Sequence, residues 1–235
     1  MAASFSHRSR EPEIMDDLAF EGQVIFQTLR ELDFINRWLG GNAVTQQAVK
    51  KVWKKTNKSL VIVDLGCGSG EMLRLIARDA EREKRKTQLV GIDANPHIVA
   101  YAQAQSPQFS NIHFEAVNIF SPAFQTQTFD VVIATLFLHH FTDDVLVTLL
   151  ASLKKQTSQA IIVNDIHRHP LAYYSIRWLT SLFSKSSMVK YDAPLSVMRA
   201  FRRNELTAIL AKAGIGHYEL KWKWAFRWQL IIHLA

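Results

Sequence analysis

A single cysteine, Cys67, stands in 235 residues. That count excludes an internal disulfide framework and any metal centre built from clustered thiolates. No apolar stretch approaches the roughly 20 residues that span a bilayer, and residues 4–13 are polar, without the apolar core of a secretory signal. Zinc-ligand spacings, internal repeats and low-complexity tracts are equally missing. These absences lead us to expect a cytoplasmic protein with no transmembrane segment. What is present suits one α/β domain with additions, since 48% of the chain is apolar and can fill a sizeable core.

The formal charge is +7. Its basic residues are scattered: Lys50-Lys51 with Lys54-Lys55, then 82–86, then Arg202-Arg203, then 221–227. The 82–86 run also carries Glu83 beside Glu81 and reads as the end of a solvated helix. Nucleic acid is therefore not the expected partner. Attraction to an acidic or membrane-bound substrate stays open, because charge alone does not choose. Nothing in the sequence sets an oligomeric state.

Residues 61–70 read Val-Ile-Val-Asp-Leu-Gly-Cys-Gly-Ser-Gly. An apolar run that stops at an acid and three alternate glycines predicts a buried strand ending in a tight turn, whose bare backbone can lie against a ligand. Met72, Leu75 and Ile76 recur at helical spacing, so the turn opens a helix whose first amides point into the same space. A dinucleotide fingerprint places its third glycine where this chain has Glu71, so the spacing argues against that ligand. Residues 88–93, Gln-Leu-Val-Gly-Ile-Asp, form the next strand, and Asp93 is placed to accept from both hydroxyls of a ribose. Asp93 can equally cap the helix that Asn95-Pro96 begins.

Along the rest of the chain, periodicity predicts helices at 14–39 and 44–55, strands at 59–65, 88–93, 112–117, 129–134 and 159–164, and helices at 71–82, 96–105 and 143–154. Such alternation implies a parallel sheet with helices on both faces. After Pro170 comes an apolar helix at 173–183, a loop-like stretch at 184–199, and a helix at 204–213. Two strands at 217–224 and 226–234 close the chain as a hairpin. The hairpin's bases and aromatics read as strand alternation, with Trp222 and Trp224 inward and Lys221 and Lys223 toward water.

The Asp64-x-Gly66-Cys67-Gly68-Ser69-Gly70 loop with Asp93 resembles motif I and the acidic second strand of the class I S-adenosylmethionine (SAM) methyltransferases. The resemblance covers nearly the whole chain. It implies a Rossmann-like fold: a mainly parallel seven-stranded sheet with an antiparallel last strand and helices on both faces. Its divisions would be an N-terminal helical extension at 1–57, a SAM-binding core at 58–165, a cap insertion at 166–200, and a final helix with closing hairpin at 201–235. It further implies SAM as methyl donor and S-adenosylhomocysteine as product. The cofactor side would be formed by Asp64, Gly66, Cys67, Gly68, Gly70, Asp93, Ala94, Asn118, Ile119 and Thr135. Asn118 stands where the family often has an acid facing the adenine amino group; it is also a plausible loop-start cap.

The segment 129–141, ending Leu136-Phe137-Leu138-His139-His140-Phe141, resembles the fourth-strand motif of small-molecule methyltransferases of the quinone-biosynthesis type. Thr135 stands where metal-dependent catechol methyltransferases need a carboxylate, so no metal is expected. The Asn/Asp-Pro-Pro-aromatic motif of amino-directed enzymes is missing as well. Segment 13–17, the stretch around Asn36-Arg37, and Ser196-Val-Met-Arg199 resemble a bacterial group found beside polyketide or quinone-like pathways. On that resemblance Arg37 reaches the methionyl carboxylate, against the alternative of a solvent-facing helix charge. The fifth strand ends Asn164-Asp165-Ile166-His167-Arg168-His169. A histidine is the natural base for a hydroxyl or carbon acid, which points to His140 or His167 with Asp165 orienting it. The plainer arrangement pairs Asp165 with Arg168 and lets His169 cap the next helix. The sequence supports methyl transfer to oxygen or carbon of a small, aromatic or lipid-like acceptor. An RNA or protein methyltransferase, or a non-catalytic SAM-fold module, is the alternative.

Overall fold

A computed structural model of the chain describes residues 5–234. Seven strands form one sheet: β1 (Leu60–Leu65), β2 (Thr87–Asp93), β3 (Ile112–Ala116), β4 (Phe129–Thr135), β5 (Thr157–Ile166), β6 (Tyr218–Lys223) and β7 (Arg227–His233). Their order is β3-β2-β1-β4-β5-β7-β6. The first five are parallel, and β7 inserts antiparallel between β5 and β6. This is the expected Rossmann-like methyltransferase topology. The strand order reverses between β1 and β4, so the carboxyl ends of those strands open a crevice.

The helices are α1 (Gln23–Trp38), α2 (Gly41–Trp53), α3 (Glu71–Arg82), α4 (Pro96–Ala104), α5 (Pro122–Gln125), α6 (Asp143–Gln156), α7 (Pro170–Phe183), α8 (Ser187–Arg199) and α9 (Arg203–Lys212). Buried strands show apolar residues on both sides, as a sheet covered on both faces must. Val63, Val132 and Ile161 face α6 and α9, while Ile62, Val131 and Ile162 face α2 and α3. All six are fully buried. Each contributes about 1.5–3 kcal/mol relative to exposure.

Three local expectations fail, each for a physical reason. The single helix expected over 14–39 is broken into a 3-10 turn at Ile14–Asp16 and α1 from Gln23. Gly22 lies between them at φ 78, ψ −159, a conformation nearly restricted to glycine. Asp192 holds the short turn by accepting from the N–H groups of Ile14 (2.8 Å) and Met15 (3.0 Å). The stretch 184–199, expected as loop, is largely α8, with Pro194 inside it. Ser186 caps α8 by accepting from Val189 N–H, and Met188, Val189, Leu195 and Val197 bury its inner face. Finally, Trp222 and Trp224 are 48% and 75% exposed rather than inward. β6 is the sheet edge, and Trp222 lies on its outer surface, edge-on to Phe226 and donating to His167 Nδ1 at 3.3 Å.

Candidate active site

The crevice at the carboxyl ends of β1–β4 is a cavity of about 520 Å³, with Leu29, Leu32, Asp33 and Asn36 of α1 in its lining. The glycine turn forms its floor. Gly66, Gly68 and Gly70 have φ of +66, +52 and +75. A Cβ on Gly66 would lie 2.3 Å from the Phe137 ring, and one on Gly70 would lie 2.7 Å from Phe114. Gly68 differs, because its Cβ would meet only Leu29 of α1, at 3.6 Å, and both residues line the cavity. Two glycines therefore serve close packing, and the third leaves the cradle open.

Asp64, beside Gly91 near the end of β1, and Asp93, at the end of β2, both line the cavity. Asp64 Oδ1 has no hydrogen-bond partner among the described residues. Burial, then the charge of Asp93, pushes the Asp64 carboxyl well above its usual range. Asp93 accepts from Gly68 N–H (3.3 Å) and Asn95 N–H (3.0 Å), and burial raises it against those bonds. Capping of α4 falls to Asn95, which accepts from His97 N–H at 2.8 Å. An unpaired buried carboxylate oxygen beside a glycine cradle fits a cationic nucleoside.

Cys67, Ala94, Ile119 and Thr135 also line this cavity. Burial pushes the Cys67 thiol up, and a Cβ on Gly91 of β2 would lie 2.5 Å from the Phe114 ring and 3.0 Å from Cys67 Sγ. Asn118 Oδ1 accepts from Phe120 N–H at 2.9 Å, so the loop-cap role is realised while the side chain lines the cavity. Thr135 Oγ1 is 3.0 Å from Thr45 Oγ1. Arg37 lies outside the lining, 70% exposed, paired with Glu71, which Asn42 also holds. Residues the sequence did not single out contribute too. Asp33 of α1 accepts from Ser69 Oγ at 2.6 Å, and burial raises it to about 6.

A second cavity of about 290 Å³ lies under α7, α8 and the β6–β7 turn. The two cavities share Met15, Leu32, Leu136 and His140 as a common wall. Leu136 keeps φ 54 there, a left-handed conformation costly for leucine and held by its N–H bond to Asn164 O at 2.8 Å. His140 Nδ1 lies 2.6 Å from Asp16 Oδ1, which leaves Nε2 as the other ring nitrogen. Burial pulls Asp16 up, but the bonds and charges of His140 and Arg199 hold it well below its usual range.

His139 is buried behind His140, with Nδ1 2.8 Å from Asp165 Oδ1 and Nε2 3.6 Å from Glu13 Oε1. Burial opposes ionisation of Asp165, yet the charge and hydrogen bond of His139 keep its carboxyl low. Asp165 thus orients His139; Arg168 pairs instead with Glu205. His169 does cap α7, accepting from Leu171 N–H at 3.1 Å. His167 lines neither cavity. It sits between Trp228 and His169 with Trp222 on its Nδ1, and burial lowers its pKa.

Glu13 and Arg199 were missed as site residues, although both lie in segments that the sequence marks. Arg199 binds Asp16 (2.6 Å) and the carbonyls of His140 (2.6 Å) and His139 (3.3 Å), so segments 13–17, 139–140 and 196–199 converge on one point. Glu13 is pushed to about 7 by burial, against the charges of His140 and Arg199. Ligating atoms of Glu13, His139 and His140 lie within 4.8 Å of one another, a spacing that suits a metal ion. Arg199 Nε, 3.8 Å from Glu13, already places a cation there. Arg227 adds a second buried positive charge. It lines the smaller cavity, Nη2 donates to Asn36 at 2.7 Å, and Nη1 has no partner among the described residues.

With this geometry in hand, comparison with known proteins decides the family. A family model described as a methyltransferase domain matches residues 56–214. The chain belongs to the methyltransferase-domain family. Within it, the chain is a class I SAM-dependent methyltransferase by fold and motif. It is 23% identical over 198 residues to a carboxy-S-adenosyl-L-methionine synthase of Helicobacter pylori, covering 79% of each chain. Among solved structures it resembles the plantazolicin methyltransferase BpumL in complex with SAH, with a TM-score of 0.63, 17% identity, and 90% and 89% of the two chains covered. It also matches the CMeT domain of the citrinin polyketide synthase (TM-score 0.58, 14% identity), covering 77% of this chain but spanning only about half, 48%, of the other. The matched region of this methyltransferase-domain chain holds the glycine turn, Asp93 and the His139-His140 pair, but not α1 or the closing hairpin.

Proposed function

We propose that the chain moves a methyl group from SAM to an oxygen or carbon of a small, aromatic or lipid-like acceptor, releasing S-adenosylhomocysteine. The observation that carries this reading is the meeting of two cavities at His140 and Leu136. The larger has the glycine cradle, the unpaired Asp64 oxygen and Asp93, which suit a cationic adenosyl donor. The smaller is lined mainly by Ile35, Leu39, Ile176, Leu179 and Val189, which suits an apolar acceptor.

A sulfonium methyl is already activated, so the protein must align the partners, exclude water and accept a proton. Leu32, Met15 and Leu136 make the shared wall apolar apart from His140. His140 Nε2 takes the acceptor's proton while Asp16 holds the ring through Nδ1. As the new bond to the acceptor forms, the carbon–sulfur bond breaks and its electron pair stays on sulfur. Asp165 acts one step back by fixing His139. Arg227, buried and half-unpaired, favours an acceptor carrying an anionic or strongly polar group.

The test is a calorimetric titration with SAM of the wild type and Gly68→Val. A branched side chain at φ +52, facing Leu29, should lower affinity by at least about a hundredfold. Equal affinities would remove the reading. The name of the Helicobacter relatives supports a second outcome, in which SAM itself is modified; mass spectrometry of the nucleoside product separates it from transfer to an acceptor.

A further inference from the structure

We propose that α1, α7 and the β6–β7 turn form one face that docks on an anionic lipid surface, with the mouth of the smaller cavity opening toward the bilayer. On α7, Ala172, Ser175 and Leu179 line that cavity. One position before each stand Leu171, Tyr174 and Trp178, and one turn beyond Trp178 stands Leu182. These four side chains are 62%, 55%, 63% and 58% exposed. α1 repeats the offset: Ile35 and Leu39 line the cavity, while Phe34 and Trp38, one position earlier, are 63% and 67% exposed.

The two helices run antiparallel across the cavity. His169, at the start of α7, stacks on Phe226 at 5.1 Å, and Asn36, near the end of α1, accepts from Arg227 at 2.7 Å, so both meet the hairpin. At the other end, Ser184, just after α7, donates to Glu31 in the middle of α1. Successive helical residues turn by about 100°. On antiparallel helices facing each other, positions one residue before the facing ones point to the same side. The six exposed residues therefore share one surface. Trp224, 75% exposed, stands on the cavity's rim beside them.

Charge selects the occupant. Residues 166–191 contain no aspartate or glutamate. Arg177 and Lys185, both exposed, pair with no carboxylate among the described residues. Glu31, the acid at that end, is engaged by Ser184 Oγ and by the N–H groups of Lys185 and Ser186. A second copy docked through this face would bring the same unpaired cations together. Exposed Trp, Tyr and Leu flanked by Arg and Lys match a helix lying in a lipid interface. No helix among the described residues is long and apolar enough to cross a membrane, so the contact is peripheral. The bilayer would then present apolar acceptors directly to the cavity mouth, which deepens the acceptor reading above without being needed by its SAM half.

The experiment is flotation of the full chain with vesicles of phosphatidylcholine alone or mixed with phosphatidylglycerol. Binding should require phosphatidylglycerol and weaken in about 0.5 M salt. The variant Leu171→Ser/Trp178→Ser/Leu182→Ser should partition roughly a hundredfold less, and Trp38→Ser alone roughly tenfold less. Both should keep wild-type SAM affinity, which shows that they fold. Three results would overturn the proposal: no flotation with either vesicle, equal flotation of wild type and variants, or a wild-type dimer in size exclusion that the triple variant abolishes. SAM titration of the wild type reports separately on the methyltransferase reading.

Discussion

Replacing Glu13 with glutamine isolates the electrostatics of the polar cluster behind the shared wall. Glu13 is 5% exposed, and its nearest cationic atoms, on His139 and Arg199, lie at 3.6 and 3.8 Å, beyond hydrogen-bond reach. Burial therefore wins over the neighbouring charges and raises the carboxyl from 4.5 to about 7. The fold prefers the protonated acid. Its contribution to stability is complete below pH 4.5 and is lost as pH rises through about 7. A displacement of that size corresponds to roughly 3 kcal/mol. Glutamine keeps the shape of the protonated acid and does not titrate. Relative to wild type, Glu13→Gln should gain stability steadily between pH of about 5 and about 8, by roughly 3 kcal/mol in all. Urea unfolding of both proteins across that range measures it. A difference between the two proteins that does not change with pH would refute the dominance of burial over the charges and the Ser196 hydrogen bond around Glu13.

Gly66→Ala should destabilise by about 2–4 kcal/mol, since it combines φ +66 with a Cβ placed 2.3 Å from the Phe137 ring. Phe137→Leu in the same chain should recover part of that loss in thermal denaturation, and no recovery would mean that backbone strain alone is responsible. Arg227→Met should leave the ligand-free protein no less stable than wild type, because a buried guanidinium with an unpartnered Nη1 gains little from its surroundings. Thermal melts showing a loss of about 3 kcal/mol would instead mark Arg227 as a satisfied structural group.

Much of the SAM-facing half was legible because it depends on short segments. The turn from Asp64 to Gly70 and the strand ending at Asp93 each carry their chemistry within ten residues, and adjacent parallel strands bring them together. The polar cluster at the proposed acceptor side was legible only at His140, which the fourth-strand motif marks, and for the opposite reason. Glu13, His140 and Arg199 are far apart in sequence, and only the packing of the Ile14–Asp16 turn against α8 joins them. α8 itself was hidden because Asp192, a charged residue, occupies a core-facing position where it caps that turn, and Pro194 interrupts the pattern. The hairpin tryptophans misled because alternation assumes that one face is covered, and the end of an edge strand has no such cover. Arg37 shows the limit of motif reasoning: its segment matters, but Asp33 and Asn36 of that segment reach the cavity while Arg37 turns to Glu71.

The two adjacent histidines illustrate how position divides roles that sequence cannot. His139 is 3% exposed and held between Asp165 and Glu13, so any movement of its ring would strand a buried carboxylate. It is consequently a fixed point. His140, next in the chain and stacked 4.3 Å away, is anchored on one nitrogen only and lines both cavities. A group meant to collect a proton needs one free nitrogen, an apolar approach and a partner that keeps the ring oriented. His140 has all three, while His167, lowered by burial and outside both cavities, has only the partner. Leu136, between β4 and these histidines, keeps φ 54 with its N–H bonded to Asn164 O at 2.8 Å, and it lines both cavities beside His140.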